Sequence, residues 1–219
     1  MRYGEAKDDR GTLYRARSKS QAPVVLLFGQ PRRSYGDPNW ALQFLIGGLV
    51  NSGTTVIGIN LPSENIAEDA ASVRRALSFL ATRASADRLD LSRVAIVGHG
   101  SGAHLASLVA TDPSYFESAG LPFAALKGAA LLDGALADAG AGLMPQDQAA
   151  APNAPVFLIV HPKAAPSRAG VFGEIAAALR KAGSPVVERT MVSGDGIADT
   201  SPSDRTTAEA LVFLRNRLR

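Results

Sequence analysis

The sequence predicts an α/β protein of three layers: a doubly wound, mostly parallel sheet with helices on both faces. Short apolar runs alternate with amphipathic segments along nearly all of the 219 residues, which is the pattern of successive strand-helix units. Most of those runs are apolar throughout, without the in-out alternation of a half-exposed sheet, so they suit strands covered on both faces. The composition, 46% hydrophobic and 20% charged, shows no break, so residues 1–219 are expected to form a single domain around one sizeable core.

The strands are expected at 24–28, 54–59, 94–97, 128–132, 156–160 and 186–191. Each is short, mostly apolar and bounded by turn-forming residues. Helices are expected near 40–50, 67–83, 102–110, 171–182 and 203–217. In the second of these, Ala70, Val73, Leu77 and Leu80 fall on one face at 3.6-residue spacing. Gly183 followed by Pro185 reads as the close of the fourth helix, and Ser201-Pro202-Ser203-Asp204 as cap, first-turn proline and acidic residue at the start of the fifth. Residues 136–154, rich in Ala, Gly, Asp and Gln, read as a long loop near the ligand-binding edge. In such a sheet ligands bind beyond the carboxyl ends of the strands, which here are Phe28, Asn60, Gly98, Asp133 and His161.

Several function classes are excluded by composition. The net charge of +3 comes from dispersed basic residues, with small clusters only at Arg32-Arg33 and at Arg215, Arg217 and Arg219. A nucleic-acid surface needs a denser stripe. Cysteine is absent, which removes disulfides and thiolate chemistry, and three dispersed histidines do not make a metal site. No cofactor is expected. No apolar stretch reaches the roughly 18 residues of a membrane span. The first ten residues lack the apolar core of a signal peptide, and the compartment stays open. Arg32 and Arg33 read as solvated surface residues, and Trp40 as packing its helix on the sheet.

The chemistry is concentrated in Val94-Ala-Ile-Val-Gly-His-Gly-Ser-Gly-Ala-His-Leu-Ala106, a buried strand running through a glycine-rich turn into a helix. Such a segment presents either a nucleophilic serine or a phosphate loop. On the second reading Gly98, Gly100 and Ala103 supply Gly-x-Gly-x-x-Ala, and Asp133 at the next strand end holds a ribose hydroxyl. The motif of a dinucleotide fold normally follows the first strand, whereas here at least two strands precede it.

The same stretch resembles the Gly-His-Ser-Ala-Gly-Ala-His-Leu-Ala elbow of small α/β-hydrolase serine esterases, the carboxylesterase and feruloyl-esterase-like group. The likeness extends along the chain through Tyr3 to Tyr14, Ala22 to Gly29, Leu131 to Gly134, Val156 to His161 and Ala210 to Arg215. It implies an α/β-hydrolase fold without a lid. In the family register Gly98, His99, Gly102, Ala103, His104, Leu105 and Ala106 match, while Gly100 occupies the nucleophile position. The elbow nucleophile adopts a strained positive φ that glycine takes without cost, so the turn is expected to survive without its hydroxyl.

The other catalytic positions also depart from the family pattern. The acid loop, 162–168, contains no Asp or Glu, and Ile197 stands at or near the base position after Gly194. The oxyanion loop reads Phe28-Gly-Gln-Pro-Arg32, and Pro31 has no N–H to donate. His99, His104 and His161 match non-catalytic positions, so none is left to act as base. The resemblance therefore implies a non-hydrolytic or very weakly active relative of serine esterases. Its pocket would be formed by Gly29, Gln30, Gly100, Ser101, Asp133 and His161, and would take a small-molecule ligand or a protein partner. Two alternatives stay open. One is dinucleotide binding. The other is an ester hydrolase using Ser101 as a displaced nucleophile, with His161 as base and Asp133 or Asp195 orienting it. The competing structural role for Ser101 is as the N-cap of the following helix.

Overall fold

The computed structural model describes residues 1–5, 9–29, 42–61, 65–132, 156–160, 166–181, 183–190 and 205–219. Among the described residues seven strands form one sheet: β1 (Gly11–Tyr14), β2 (Ala22–Phe28), β3 (Thr55–Ile59), β4 (Leu89–His99), β5 (Leu126–Leu132), β6 (Val156–Val160) and β7 (Val186–Thr190). Their order across the sheet is β1-β3-β2-β4-β5-β6-β7. Only β1 runs antiparallel, against β3; the other pairs are parallel. The expected three-layer α/β architecture is the one observed.

The period of two along a strand separates the core into two layers. On one face Val24, Leu26 and Phe28 of β2 join Ile57 and Ile59 of β3 and Ile96 of β4. They are covered by helices α2 (Ile66–Arg83), α3 (Gly102–Thr111), the short α4 (Ser114–Glu117) and α5 (Pro166–Lys181). On the other face Val25, Leu27, Val56, Ala95, Val97, Ala130 and Leu132 pack under α1 (Gln43–Asn51) and α6 (Arg205–Arg217). The continuous apolar runs of the central strands are the direct result of covering both faces.

Local signals explain most element boundaries. The Asn65 side chain caps α2, accepting from the N–H groups of Ala67 at 2.9 Å and Glu68 at 3.3 Å, and Glu68 and Asp69 follow in the first turn. Gly183 has φ of +83° and, with the Ser184 N–H bonded to Leu179 C=O at 2.9 Å, closes α5. Two expectations are corrected. Helix α5 begins at Pro166 rather than 171, because proline suits a first helical turn. Strand β4 begins at Leu89 rather than 94; its polar residues 90–93 broke the apolar pattern, and the pairing with β2 slips there between Pro23 and Val24. Trp40, residues 136–154, Met191 and Ser201-Pro202-Ser203-Asp204 lie outside the described residues.

The N-terminal segment is tied to the body by a buried polar cluster. Asp9, 1% exposed, accepts from Arg75 Nε and Nη2, each at 2.8 Å, and from Ser72 Oγ at 3.0 Å. The Tyr3 hydroxyl lies 2.9 Å from Ser72 Oγ and donates to Asn60 C=O at 3.1 Å. A buried carboxylate is tolerated because these donors replace its water. Gly4 has no room for a side chain, since an added Cβ would stand 2.7 Å from Asp9 Cγ. Desolvation by burial raises the Tyr3 phenol to about 12.

Removing the guanidinium in Arg75→Ala takes two charge-assisted hydrogen bonds from the buried Asp9 carboxylate, and should cost on the order of 3 kcal/mol of unfolding free energy in a denaturant titration. Tyr3 has a second, pH-dependent signature. In the unfolded chain the phenol ionises near its ordinary 10.0, but in the folded protein near about 12. The folded state therefore holds the proton longer, and its contribution is complete below pH 10 and lost as the pH rises toward 12. Stability of the wild type should fall relative to Tyr3→Phe across that window, as measured by chemical denaturation at each pH.

Candidate functional site

The chain turns from one side of the sheet to the other between β2 and β4, so the crevice beyond their carboxyl ends is the topological switch point. Register places Ile59, Phe28 and Gly98 side by side across β3, β2 and β4. The residues that follow them, Asn60, Gly29 and His99-Gly100-Ser101, line the described part of that edge.

The turn from β4 into α3 is built on three glycines with separate tasks. Gly100 sits at its apex with φ of +58°, a left-handed conformation that side-chain-bearing residues rarely adopt. Its N–H donates to Leu132 C=O at 3.1 Å, and its C=O accepts the Ala103 N–H at 3.1 Å. Gly98 permits close contact between strand and helix, since an added Cβ would lie 2.6 Å from both Ala103 Cα and Ala106 Cβ. Gly102 lets the helix entrance lie on the end of β2, where a Cβ would overlap the Phe28 carbonyl, 2.6 Å from its carbon and 3.1 Å from Gly29 O. This contact brings Gly29, Gly100 and Ser101 of the predicted pocket together.

Ser101 behaves differently from the expected N-cap. It occupies that position in α3, but with φ −62° and ψ −27° it is already helical, and its side chain makes no capping hydrogen bond. A capping serine needs an extended backbone to turn its oxygen back toward the helix N–H groups. The residue as a whole is partly exposed, yet its Oγ has less than 1 Å² of accessible surface and no hydrogen-bond partner among the described residues. Asn60 Oδ1, at the end of β3, is buried and unpartnered in the same way. These orphaned atoms are the feature sequence reading missed at this edge, because hydrogen-bond satisfaction depends on neighbours brought in from distant positions.

His99 and His104 are both buried, at 7% and 0% exposure, and both are engaged by neighbouring groups. The remaining candidates, Gln30, Arg32, Arg33, Asp133, His161, Asp195, Ile197 and residues 162–165, lie outside the described residues. Among the described residues no group of three His, Cys, Asp or Glu side chains could hold a metal ion, and no helix is long and apolar enough to cross a membrane.

Comparison with known proteins agrees with this geometry. Residues 41–127, less than half of the chain, match the BD-FAE family model. No curated protein matches in sequence. An acetyl ester-xyloside bifunctional hydrolase from Caldicellulosiruptor lactoaceticus superposes with a TM-score of 0.76 at 16% identity, covering 94% of this chain and 87% of that one. Thermogutta terrifontis esterase 2, in a structure phosphoramylated by tabun, gives 0.78 at 15% identity over 99% and 93%. A bifunctional GH43-CE protein of Bacteroides eggerthii gives 0.78 at 17% identity over all of this chain and 35% of its own. The chain has the α/β-hydrolase fold, and the segment carrying the elbow is the one that matches the BD-FAE model. The dinucleotide alternative is not supported. Gly98, Gly100 and Ala103 follow the fourth strand of a hydrolase sheet rather than the first strand of a dinucleotide fold.

The separate tasks of the glycines can be tested by substitution. Gly102→Ala forces the helix entrance off β2 and should cost at least about 2 kcal/mol, as overpacking of a closed interior does. Gly100→Ala should cost about 1–2 kcal/mol, the penalty of a left-handed residue with a Cβ. Thermal or urea unfolding of the two variants measures the difference.

Proposed function

We propose that this α/β-hydrolase-fold chain is a non-hydrolytic or very weakly active relative of serine esterases, which keeps the crevice at the β2 and β4 ends as a binding site. The observation that carries the reading is Gly100 at φ +58°. The apex of an esterase elbow places its nucleophile at positive φ, and here the apex residue has no side chain. Acyl transfer further requires a base, an orienting carboxylate and N–H donors for the oxyanion. The sequence supplies no carboxylate in 162–168, Ile197 near the base position, and Pro31 in the loop after β2. Four independent departures along one catalytic array favour lost chemistry over a single shifted residue.

The second reading is an ester hydrolase with Ser101 as nucleophile, and its support is the unpartnered Oγ. A nucleophile must lie within hydrogen-bond reach of a base, and no described residue provides one. Ser101 is also one residue past the apex and already helical, which in a hydrolase elbow is the position whose N–H faces the oxyanion. The geometry suits a donor better than an attacker.

Hydrolysis of short-chain p-nitrophenyl esters separates the two readings. Wild type should show turnover at or barely above a buffer control, and Gly100→Ser should not raise it, because a restored hydroxyl still lacks its base and acid. Turnover by wild type that disappears in Ser101→Ala establishes the second reading. Robust turnover by Gly100→Ser reveals a histidine-carboxylate pair and overturns the first.

A further inference from the structure

We propose that the groove along the outer face of α2 is a second binding site, for an aryl phosphate monoester, whose phosphate is held by Arg75 and Arg74 and whose ring lies on Phe79. The groove shares no described residue with the crevice at the strand ends, so the proposal stands apart from the non-hydrolytic reading.

The groove encloses about 500 Å³ and is lined along α2 by Arg74, Arg75, Ser78, Phe79 and Thr82, a volume within the roughly 300–1,000 Å³ of small-ligand sites. The four-residue spacing sets Arg75 beside Phe79, and Arg74 beside Ser78, on one helix surface. Phe79 is packed against the core from beneath. Two arginines and no acidic side chain are among the described lining residues, so cationic donors stand over an apolar floor.

Arg75 carries the argument. A guanidinium has five N–H donors, and buried Asp9 takes only its side-on pair, from Nε and Nη2, each at 2.8 Å. That clamp fixes the plane of the group. The end-on pair, on Nη1 and the other N–H of Nη2, has no acceptor among the described residues, and the side chain is 43% exposed. A planar fork held in this way matches two oxygens of an oxyanion and loses little freedom on binding one.

Arg74 supplies the second cation. Its guanidinium lies 3.9 Å from the Tyr115 ring centroid and bonds Ser114 Oγ at 3.0 Å through Nη2. The Asp112 oxygen on the same Nη2 is 3.4 Å away, longer than the about 2.7–2.9 Å of a full charge-assisted bond. Nε and Nη1 of Arg74 have no acceptor among the described residues. The Arg75 fork alone would satisfy a carboxylate. A phosphate monoester brings about two negative charges and three terminal oxygens, which also engage Arg74 and the exposed hydroxyl of Ser78. An aromatic ester group then pairs with the Phe79 ring, a contact that adds to simple area burial.

The test is a titration of the ¹⁵N-labelled full chain with phenyl phosphate, read by amide chemical shifts at constant ionic strength, beside inorganic phosphate, benzoate and phenol. Saturable shifts are expected over residues 74–82 and at Ser118, with phenyl phosphate binding at least tenfold tighter than any of the other three. Arg75→Lys keeps a positive charge beside Asp9 but has no second fork, and should weaken phenyl phosphate about tenfold, the size of one hydrogen bond to a charged group. Arg74→Gln should weaken it to a similar degree. The assignment is overturned by no saturable shift over 74–82, by equal affinity for benzoate, phenol or inorganic phosphate, or by unchanged affinity in Arg75→Lys. If Arg75→Lys does not fold, unchanged affinity in Arg74→Gln overturns it instead. Ester turnover plays no part in this readout, so failure here leaves the non-hydrolytic reading untouched.

Discussion

The contact on which this site depends is the seating of the α3 entrance on the end of β2. Gly102 packs directly over the Phe28 carbonyl, and that closeness is possible only because position 102 has no Cβ. The chain must reverse from β4 into α3 within two residues to reach it, which sets Gly100 in the left-handed region. It must also let strand and helix touch, which fixes glycine at 98. Three small residues in alternate positions thus satisfy one steric demand, and they bring the ends of the two central strands into a single crevice.

That demand also separates scaffold from chemistry. A hydrolase needs the turn and, in addition, a hydroxyl at its apex. Glycine at the apex takes the positive φ without strain, so the turn itself does not depend on a hydroxyl at that position. The buried Asp9, Arg75, Ser72 and Tyr3 cluster works elsewhere, fastening the N-terminal segment to α2 and to the end of β3 through Asn60.

Much of this architecture was legible in the sequence. The apolar runs of β2 to β7 gave strand positions because both faces are covered, and Gly183 and the spacing of Ala70, Val73, Leu77 and Leu80 marked helices by local chemistry alone. The start of β4 was hidden because Asp90, Ser92 and Arg93 interrupt the apolar pattern while the backbone stays extended. The start of α5 was hidden because Pro166 reads equally well as a loop residue. At the site, the positive φ of position 100 followed from glycine in an elbow motif, a one-residue argument. The failure of Ser101 to cap its helix did not, since capping depends on the backbone angles of the cap itself. The Asp9 cluster joins residues more than 60 positions apart, and neither spacing nor periodicity carries that information.

The proposed loss of the nucleophile from the elbow has a direct chemical readout. Intact-mass analysis after incubation with a fluorophosphonate probe tests it most directly, because the probe reports an activated serine without requiring the natural substrate. Wild type and Ser101→Ala alike should keep an unmodified mass. A stoichiometric adduct on wild type that vanishes in Ser101→Ala would contradict that loss and place a working nucleophile one residue beyond the apex.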